Sequence, residues 1–390
     1  MTRVTVAHAF LNRWRWYLCG AGAACTLLWS LYFLSTMQHT PRVVPRPHGF
    51  GFDANNTNTP PASIPETHSQ QPGLIPSGPD AAANSTLGFE AILALSPFPS
   101  WRTTGLQAAA HYTGLDIRIP PQPPIHPEMI DAFAALGPAE ARHPNHGSAL
   151  AWVAHLDLIK HVVQSNYETA LILEDDVDWD ISIREEMVAI AEAVRQLTHT
   201  RKEESAPYGS DWDVLWVGLC AETWDKSFDT VYVDDETACP ASKYGGLAKA
   251  PMERLGGGRP QRVVFHSGAP ICTFAYGLTR EGAKKVLLDV GAGKDEAFDI
   301  ALMNGCRERN LTCISVLPEL FRHYKPSPNL TGSLVNSGSD RKVVEVETEM
   351  GFTENIVQSA RCHALWGKPC MEPPKVEEPP KEEGKHSVEE

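Results

Sequence analysis

The sequence predicts an α/β domain, an open mixed sheet flanked by helices, that follows an N-terminal transmembrane helix. Three observations predict it. Short aliphatic runs alternate with segments of helical periodicity between about residues 87 and 370. One of those runs, Ala170 to Leu173, ends in a dense group of acids. Near the start, Trp16 to Leu34 form nineteen consecutive residues without a charge.

Size and charge set the outer limits. The chain has 390 residues and a net charge of −14, so it offers no basic field to nucleic acid. Its 31 prolines gather before Pro127 and in the C-terminal tail, which leaves the interior for one sizeable core.

The ends read differently from the middle. Residues 1–15 carry Arg3, Arg13 and Arg15 and no acid, and read as a cytoplasmic tail. Residues 16–34 are long enough to span a bilayer as a helix, with Trp14, Trp16, Trp29 and Tyr32 suited to its interfaces. No A-x-A site closes the run, which favours an uncleaved signal anchor over a signal peptide. The remainder is then luminal, a single-pass type II arrangement in the Golgi or endoplasmic reticulum membrane. Residues 35–86 are rich in Pro, Asn, Ser and Thr and read as a disordered stem. Residues 371–390 hold seven Glu against three Lys and read as an acidic disordered tail. No K-D-E-L-type signal is present, which favours the Golgi. N-x-S/T sequons begin at Asn55, Asn84, Asn310 and Asn329, all beyond the anchor. Of seven cysteines after the anchor, Cys306/Cys313 and Cys362/Cys370 are spaced as local disulfides, and the odd count leaves at least one thiol.

Between 87 and 370 the elements follow in order. Phe89 to Leu95 is a strand, closed by Ser96-Pro-Phe-Pro-Ser100. A helix opens at Trp101-Arg102, a position from which Arg102 can pair a phosphate or a base. Ser148 to Gln164 shows helical spacing through Leu150, Val153, Ala154, Leu158 and Val162, and His155 on it reads as a packed residue. Ala170 to Leu173 is a buried strand. Trp212 to Gly218, Val263 to Phe265, Ile271 to Tyr276 and Cys313 to Leu317 are further strands. Thr279 caps a helix from Arg280 to Val290. Asp295, Glu296 and Asp299 lie near the start of a short helix, and Phe321 to Lys325 supplies basic groups, among them His323. The stretch from about 219 to Pro260 reads as a variable insertion or lid. No Walker loop, G-x-G-x-x-G or G-x-S-x-G occurs.

The acids carry the chemistry. Glu174, Asp175, Asp176, Asp178 and Asp180 put five carboxylates within seven residues. They repel one another unless a positive group sits among them. Oxygen ligands at the C-terminal end of a buried strand suit Mn²⁺ or Mg²⁺, and that edge of an open α/β sheet is where ligands bind. The competing account is an acidic turn capping the next helix, with Ser182 and Glu185 as a capping box. That cap leaves Glu174, Asp175 and Asp176 unexplained.

Five blocks, in order, resemble glycosyltransferase family 25, the lipopolysaccharide and collagen type of galactosyltransferase, and in particular its fungal luminal members. They are Thr86 to Ile92, the helix through His155-Leu-Asp-Leu-Ile, Ala170 to Asp180, Asp213 to Gly218, and Cys272 to Ala283. Where the family carries Gly-Cys before the helix histidine, this chain has Leu150-Ala151. The resemblance implies a GT-A-like fold over 87–370 and a metal-dependent inverting hexosyltransferase. Such an enzyme would move a hexose, galactose by analogy, from a UDP-sugar to a hydroxyl of a glycan or glycoprotein. It implies Asp176 as the metal ligand with Asp178 as a further ligand, Asp175 or Glu174 on the ribose or metal waters, and Asp299 as the general base. By its own chemistry His323 suits a metal, and Arg102 would help bind the donor. The alternative is a non-catalytic luminal module of the same fold that binds a glycan or partner.

Overall fold

A computed structural model describes residues 77–140, 142–256, 258–308, 310–328, 330 and 346–372. The expected cytoplasmic tail, the anchor, most of the stem and nearly all of the acidic tail lie outside these residues, as do Asn55 and Asn329. Among the described residues no helix is long and apolar enough to cross a membrane.

In chain order the strands are β1 (Ala91–Leu95), β2 (Ile117–Arg118), β3 (Thr169–Glu174), β4 (Val177–Trp179), β5 (Val214–Gly218), β6 (Thr230–Asp234), β7 (Gln261–His266), β8 (Ala275–Thr279), β9 (Cys313–Leu317) and β10 (Phe321–His323). The helices are α1 (Trp101–Thr113), α2 (Pro127–Ala134), α3 (His146–Gln164), α4 (Ile183–Leu197), α5 (Lys249–Leu255), α6 (Arg280–Asp289), α7 (Phe298–Arg307) and α8 (Ala360–Trp366). Eight strands form one mixed sheet in the order β2-β1-β3-β8-β5-β9-β7-β6, and β10 pairs with β4 in a separate two-stranded ribbon. β1, β2 and β3 are parallel, whereas β8 runs antiparallel to both neighbours, β3 and β5.

The central strands are apolar on both faces because both faces are covered. Leu171 and Leu173 of β3 join Ile92, Leu215 and Val217 in one cluster with Leu106 of α1 and Met187 and Ile190 of α4. Ala170 and Ile172 face the other way, with Trp216, Tyr276 and Leu278, and pack against Trp152 and Ile159 of α3, Val286 of α6 and Leu302 of α7. The period-2 alternation of a strand thus feeds two cores at once.

Caps fix where the helices start. Ser100 Oγ accepts from the Arg102 N–H at 3.2 Å, and Thr103 Oγ1 accepts from the Ser100 N–H at 2.9 Å, so α1 begins with Arg102 in its first turn. Thr279 caps α6 as the sequence predicts, accepting from Gly282 N–H at 3.0 Å.

Several expectations are corrected. The capping box at Ser182 and Glu185 does not form: Ser182 has φ −91° and ψ 13°, and this near-helical turn leaves its hydroxyl without a bond to the helix end. The strand expected at 271–276 starts later, because Cys272 takes a left-handed φ of 68° and is bridged to Cys220. The insertion before Pro260 contains β6 and α5, and β6 pairs along its length with β7. Ordered structure also begins ahead of residue 87, in a 3-10 turn over Gly78–Ala83 that buries Ala82 and is held by the Gly78 N–H bond to Ser205 O at 3.0 Å. Both close cysteine pairs are disulfides, Cys220–Cys272 is a third, and Cys239 is a buried free thiol.

Candidate functional site

Register brings the site together. Leu95 lies opposite Glu174 in the parallel pair β1/β3, so Ser96 follows beside Asp175. Ser96 Oγ donates to Asp175 Oδ2 at 2.6 Å. From the first turn of α1, Arg102 reaches both acids: its guanidinium is 3.3 Å from Asp175 Oδ1 and pairs directly with Asp176 Oδ2. His323 of β10 arrives from the far side, with Nε2 2.9 Å from the same Asp176 oxygen. The Tyr324 N–H donates to Asp176 O at 2.8 Å and holds that ribbon in place.

The loop before β8 closes the remaining side. Because Leu173 pairs with Ala275, residues 272–274 must pass Glu174. Thr273 Oγ1 donates to Glu174 Oε1 at 3.1 Å, and the Glu174 N–H donates to Phe274 O at 3.0 Å. The Phe274 ring lies 5.6 Å from the His323 ring and 5.7 Å from the Arg322 guanidinium. Asp299, in the first turn of α7, accepts from the Cys272 N–H with Oδ2 and from the Ile300 N–H with Oδ1, both at 2.9 Å. It is therefore tied to the residue next to Thr273.

The three acids differ in charge state. Burial opposes ionisation of Asp176, but His323 and Arg102 outweigh it and hold the carboxyl down at about 2. Burial and the Asp176 charge push Asp175 up to about 6 and Glu174 up to about 7. His323 is also buried, but the Asp176 carboxylate raises it, so this pair is ionic. Asp176 is only 3% exposed, and its second oxygen, Oδ1, is buried without a hydrogen-bond partner. A buried carboxylate oxygen left without a donor is costly, and a cation would satisfy it.

The structure therefore gathers Arg102, Glu174, Asp175, Asp176 and His323 in one place. Asp178 does not join them. Its side chain is wholly buried and faces the C-terminal segment. It accepts from Thr353 Oγ1 at 2.6 Å, from the Arg361 and Trp179 N–H groups at 2.9 Å each, and from Ser359 Oγ. Those donors saturate it and make it an anchor for the start of α8, so the expectation that it ligates the metal with Asp176 is corrected. His155 is likewise structural. It stacks on Phe298 at 4.4 Å and bonds Tyr276 Oη at 3.0 Å, and burial lowers it to about 3.

The residues that sequence reasoning missed are Ser96, Thr273 and Arg361. Ser96 carried a usable signal, since it ends the strand expected beside the acid-bearing one. Among the described residues no group of three or more His, Cys, Asp and Glu side chains is set to hold a metal ion. Asp176 Oδ1 with neighbouring Glu174 is what the described residues offer such an ion; His323 is spent on its ion pair with Asp176 Oδ2, so the expectation that it ligates the metal is corrected, and Arg102 supplies further positive charge.

No family model matches the chain, and no curated protein matches it. Among solved structures, it is similar to the crystal structure of A197 from STIV, at 9% identity and a TM-score of 0.27 over 60% of this chain and 82% of that one. A likeness that slight carries no argument.

Proposed function

We propose that the protein is a metal-dependent inverting hexosyltransferase, resembling glycosyltransferase family 25 and built on a GT-A-like sheet. It would move a hexose, galactose by that resemblance, from a UDP-sugar to a hydroxyl of a glycan or glycoprotein. One observation carries the reading: a buried carboxylate, Asp176, stands at the C-terminal edge of the parallel strands with one oxygen ion-paired and the other unpartnered. That edge is where open α/β sheets bind nucleotides, and β8 antiparallel between β3 and β5 supports the GT-A-like assignment.

Each residue then has a task. Asp176 Oδ1, with Glu174, would hold Mn²⁺ or Mg²⁺, which when bound would neutralise diphosphate charge as a Lewis acid. Arg102 and His323 present positive charge where the leaving UDP gains negative charge. Asp175, fixed by Ser96, and Glu174, fixed by Thr273, orient the donor. Asp299 is aimed by its two backbone N–H bonds and takes the acceptor hydroxyl's proton. The acceptor oxygen bonds to the anomeric carbon as that carbon's bond to the diphosphate breaks.

The three disulfides support an oxidising compartment, in line with a luminal domain behind a membrane anchor in the Golgi or endoplasmic reticulum. The alternative, a non-catalytic luminal binding module, is favoured by the ion pairs that already neutralise Asp175 and Asp176. Thermal unfolding with UDP, with and without Mn²⁺, separates the two. Ligand at roughly 100 times its dissociation constant stabilises by about 2.7 kcal/mol. The transferase reading expects a shift that needs Mn²⁺ and is lost in Asp176→Asn. No UDP shift under any condition leaves the binding module.

A further inference from the structure

We infer that Asn84 is an N-glycosylation site, modified on its side-chain amide nitrogen. The inference rests on the luminal placement proposed above.

Asn84 opens the sequon Asn84-Ser85-Thr86. It ends the 3-10 turn Gly78–Ala83 in an extended conformation, φ −75° and ψ 176°, and its side chain is exposed. Its Oδ1 accepts from the Thr86 N–H and from the Gly88 N–H, both at 2.9 Å, and lies 3.0 Å from Thr86 Oγ1, whose one proton has a shorter bond to Phe89 O. This is an Asx turn, in which the side-chain carbonyl substitutes for a backbone acceptor. The Asn84 Nδ2 has no hydrogen-bond acceptor among the described residues. The Thr86 hydroxyl, the other group a sequon requires, lies 3.0 Å from the amide oxygen and donates to Phe89 O. Asn310 differs: it sits in the loop closed by Cys306–Cys313, its Nδ2 faces Asp289 Oδ1 at 3.5 Å, and its Thr312 is bound to the sheet through Asp213.

Position also favours a bulky substituent. Asn84 precedes β1 at the edge where the Glu90 N–H meets Thr169 O, the N-terminal end of β1 and β3. The acids stand at the opposite end of those strands. A glycan there projects into solvent without covering the site.

The reaction is a transfer from a lipid-pyrophosphate-linked oligosaccharide by the host's oligosaccharyl-transferring machinery. The anomeric C1–O bond to the pyrophosphate breaks, a C1–Nδ2 bond forms, one Nδ2 proton leaves, and the lipid pyrophosphate departs.

The full chain, made in a eukaryotic cell and extracted from its membranes, is treated with a peptide-N-glycosidase in ¹⁸O-water and its peptides are read by mass spectrometry. The expected result is conversion of residue 84 to ¹⁸O-labelled Asp. Asn84→Asp keeps the Oδ1 acceptor of the turn but lacks the amide nitrogen. It should run one glycan smaller on a gel, and the difference should vanish once both proteins are deglycosylated. Conversion at other sequons with residue 84 unmodified overturns the site and leaves the luminal reading standing. Conversion at no sequon overturns both.

Discussion

Arg361 occupies the space that Gly105 leaves open. A Cβ at residue 105 would collide with its guanidinium, which is fully buried between the rings of Trp101 and Tyr324. From there Arg361 donates to Trp101 O at 3.0 Å and Arg102 O at 3.4 Å, and pairs with Glu347 at 3.2 Å. It thereby holds the first turn of α1, and with it Arg102, from below. Gly105→Ala must displace a buried guanidinium from its bonds to Trp101 O and Glu347. We expect a loss of about 1–3 kcal/mol, read as a lower urea midpoint with unchanged slope. An unchanged midpoint would show that Arg361 is not fixed there.

Arg102 neutralises two buried acids, so Arg102→Ala leaves them facing each other. The expected cost is about 3–5 kcal/mol, as for other broken buried ion pairs. Mn²⁺ should restore part of it in the variant, because a cation can replace the lost guanidinium. Melting curves in EDTA and in Mn²⁺ check this, and equal losses in both would count against a cation site at Asp176.

Asp178 and Asp176 should separate cleanly. Asp178→Asn turns a donor either toward the Ser359 and Thr353 hydroxyls or toward the Arg361 and Trp179 N–H groups, and should lower stability by about 1–3 kcal/mol. Mn²⁺-dependent UDP binding should survive it at a temperature where the variant is folded. Asp176→Asn also takes the carboxylate from two buried cations and costs stability, but where the variant is folded it should abolish that binding.

His155 gives a pH signature. Its folded pKa, about 3, lies below the ordinary 6.5, so on acidification the unfolded chain takes up the proton first. Stability contributed by neutral His155 is present above 6.5 and is lost as pH falls from 6.5 toward 3. The slope from this one group is at most about 1.4 kcal/mol per pH unit. His155→Phe keeps the stack on Phe298 and should flatten the acid limb of denaturation by that slope. Parallel limbs for both proteins would refute the assignment.

The cysteines should map as Cys220–Cys272, Cys306–Cys313 and Cys362–Cys370 by non-reducing peptide analysis. Cys239 should resist alkylation until the chain unfolds, since burial raises its thiol to about 11.

What the sequence makes legible is local. The aliphatic run ending at Glu174, the periodicity of α3 and the Thr279 cap each express themselves within a few residues; Val153, Leu158 and Val162 face inward as read, whereas Leu150, in the first turn of α3, is exposed. What stays hidden depends on distant partners. Nothing near Asp178 says that its charge is consumed by residues more than 170 positions later, so it reads as one more metal ligand beside Asp176. Arg361 is a surface residue to any local rule, and only Gly105, Trp101 and Tyr324 together make it a core one. β6 was readable, since Val231 and Val233 alternate with polar neighbours, but the surrounding acids and glycines mask the pattern.

The bond between the Arg361 N–H and Asp178 also has a temporal side. The two residues are separated by 183 positions, so a ribosome delivers the acids, α1 and the central strand long before it delivers their cover. Through that interval Asp178 must stay hydrated, the first turn of α1 has no guanidinium beneath it, and the pocket cannot close. The first turn of α1 and the Asp178 carboxylate thus gain their C-terminal partners only once residue 361 has been delivered, after every strand of the sheet has been made.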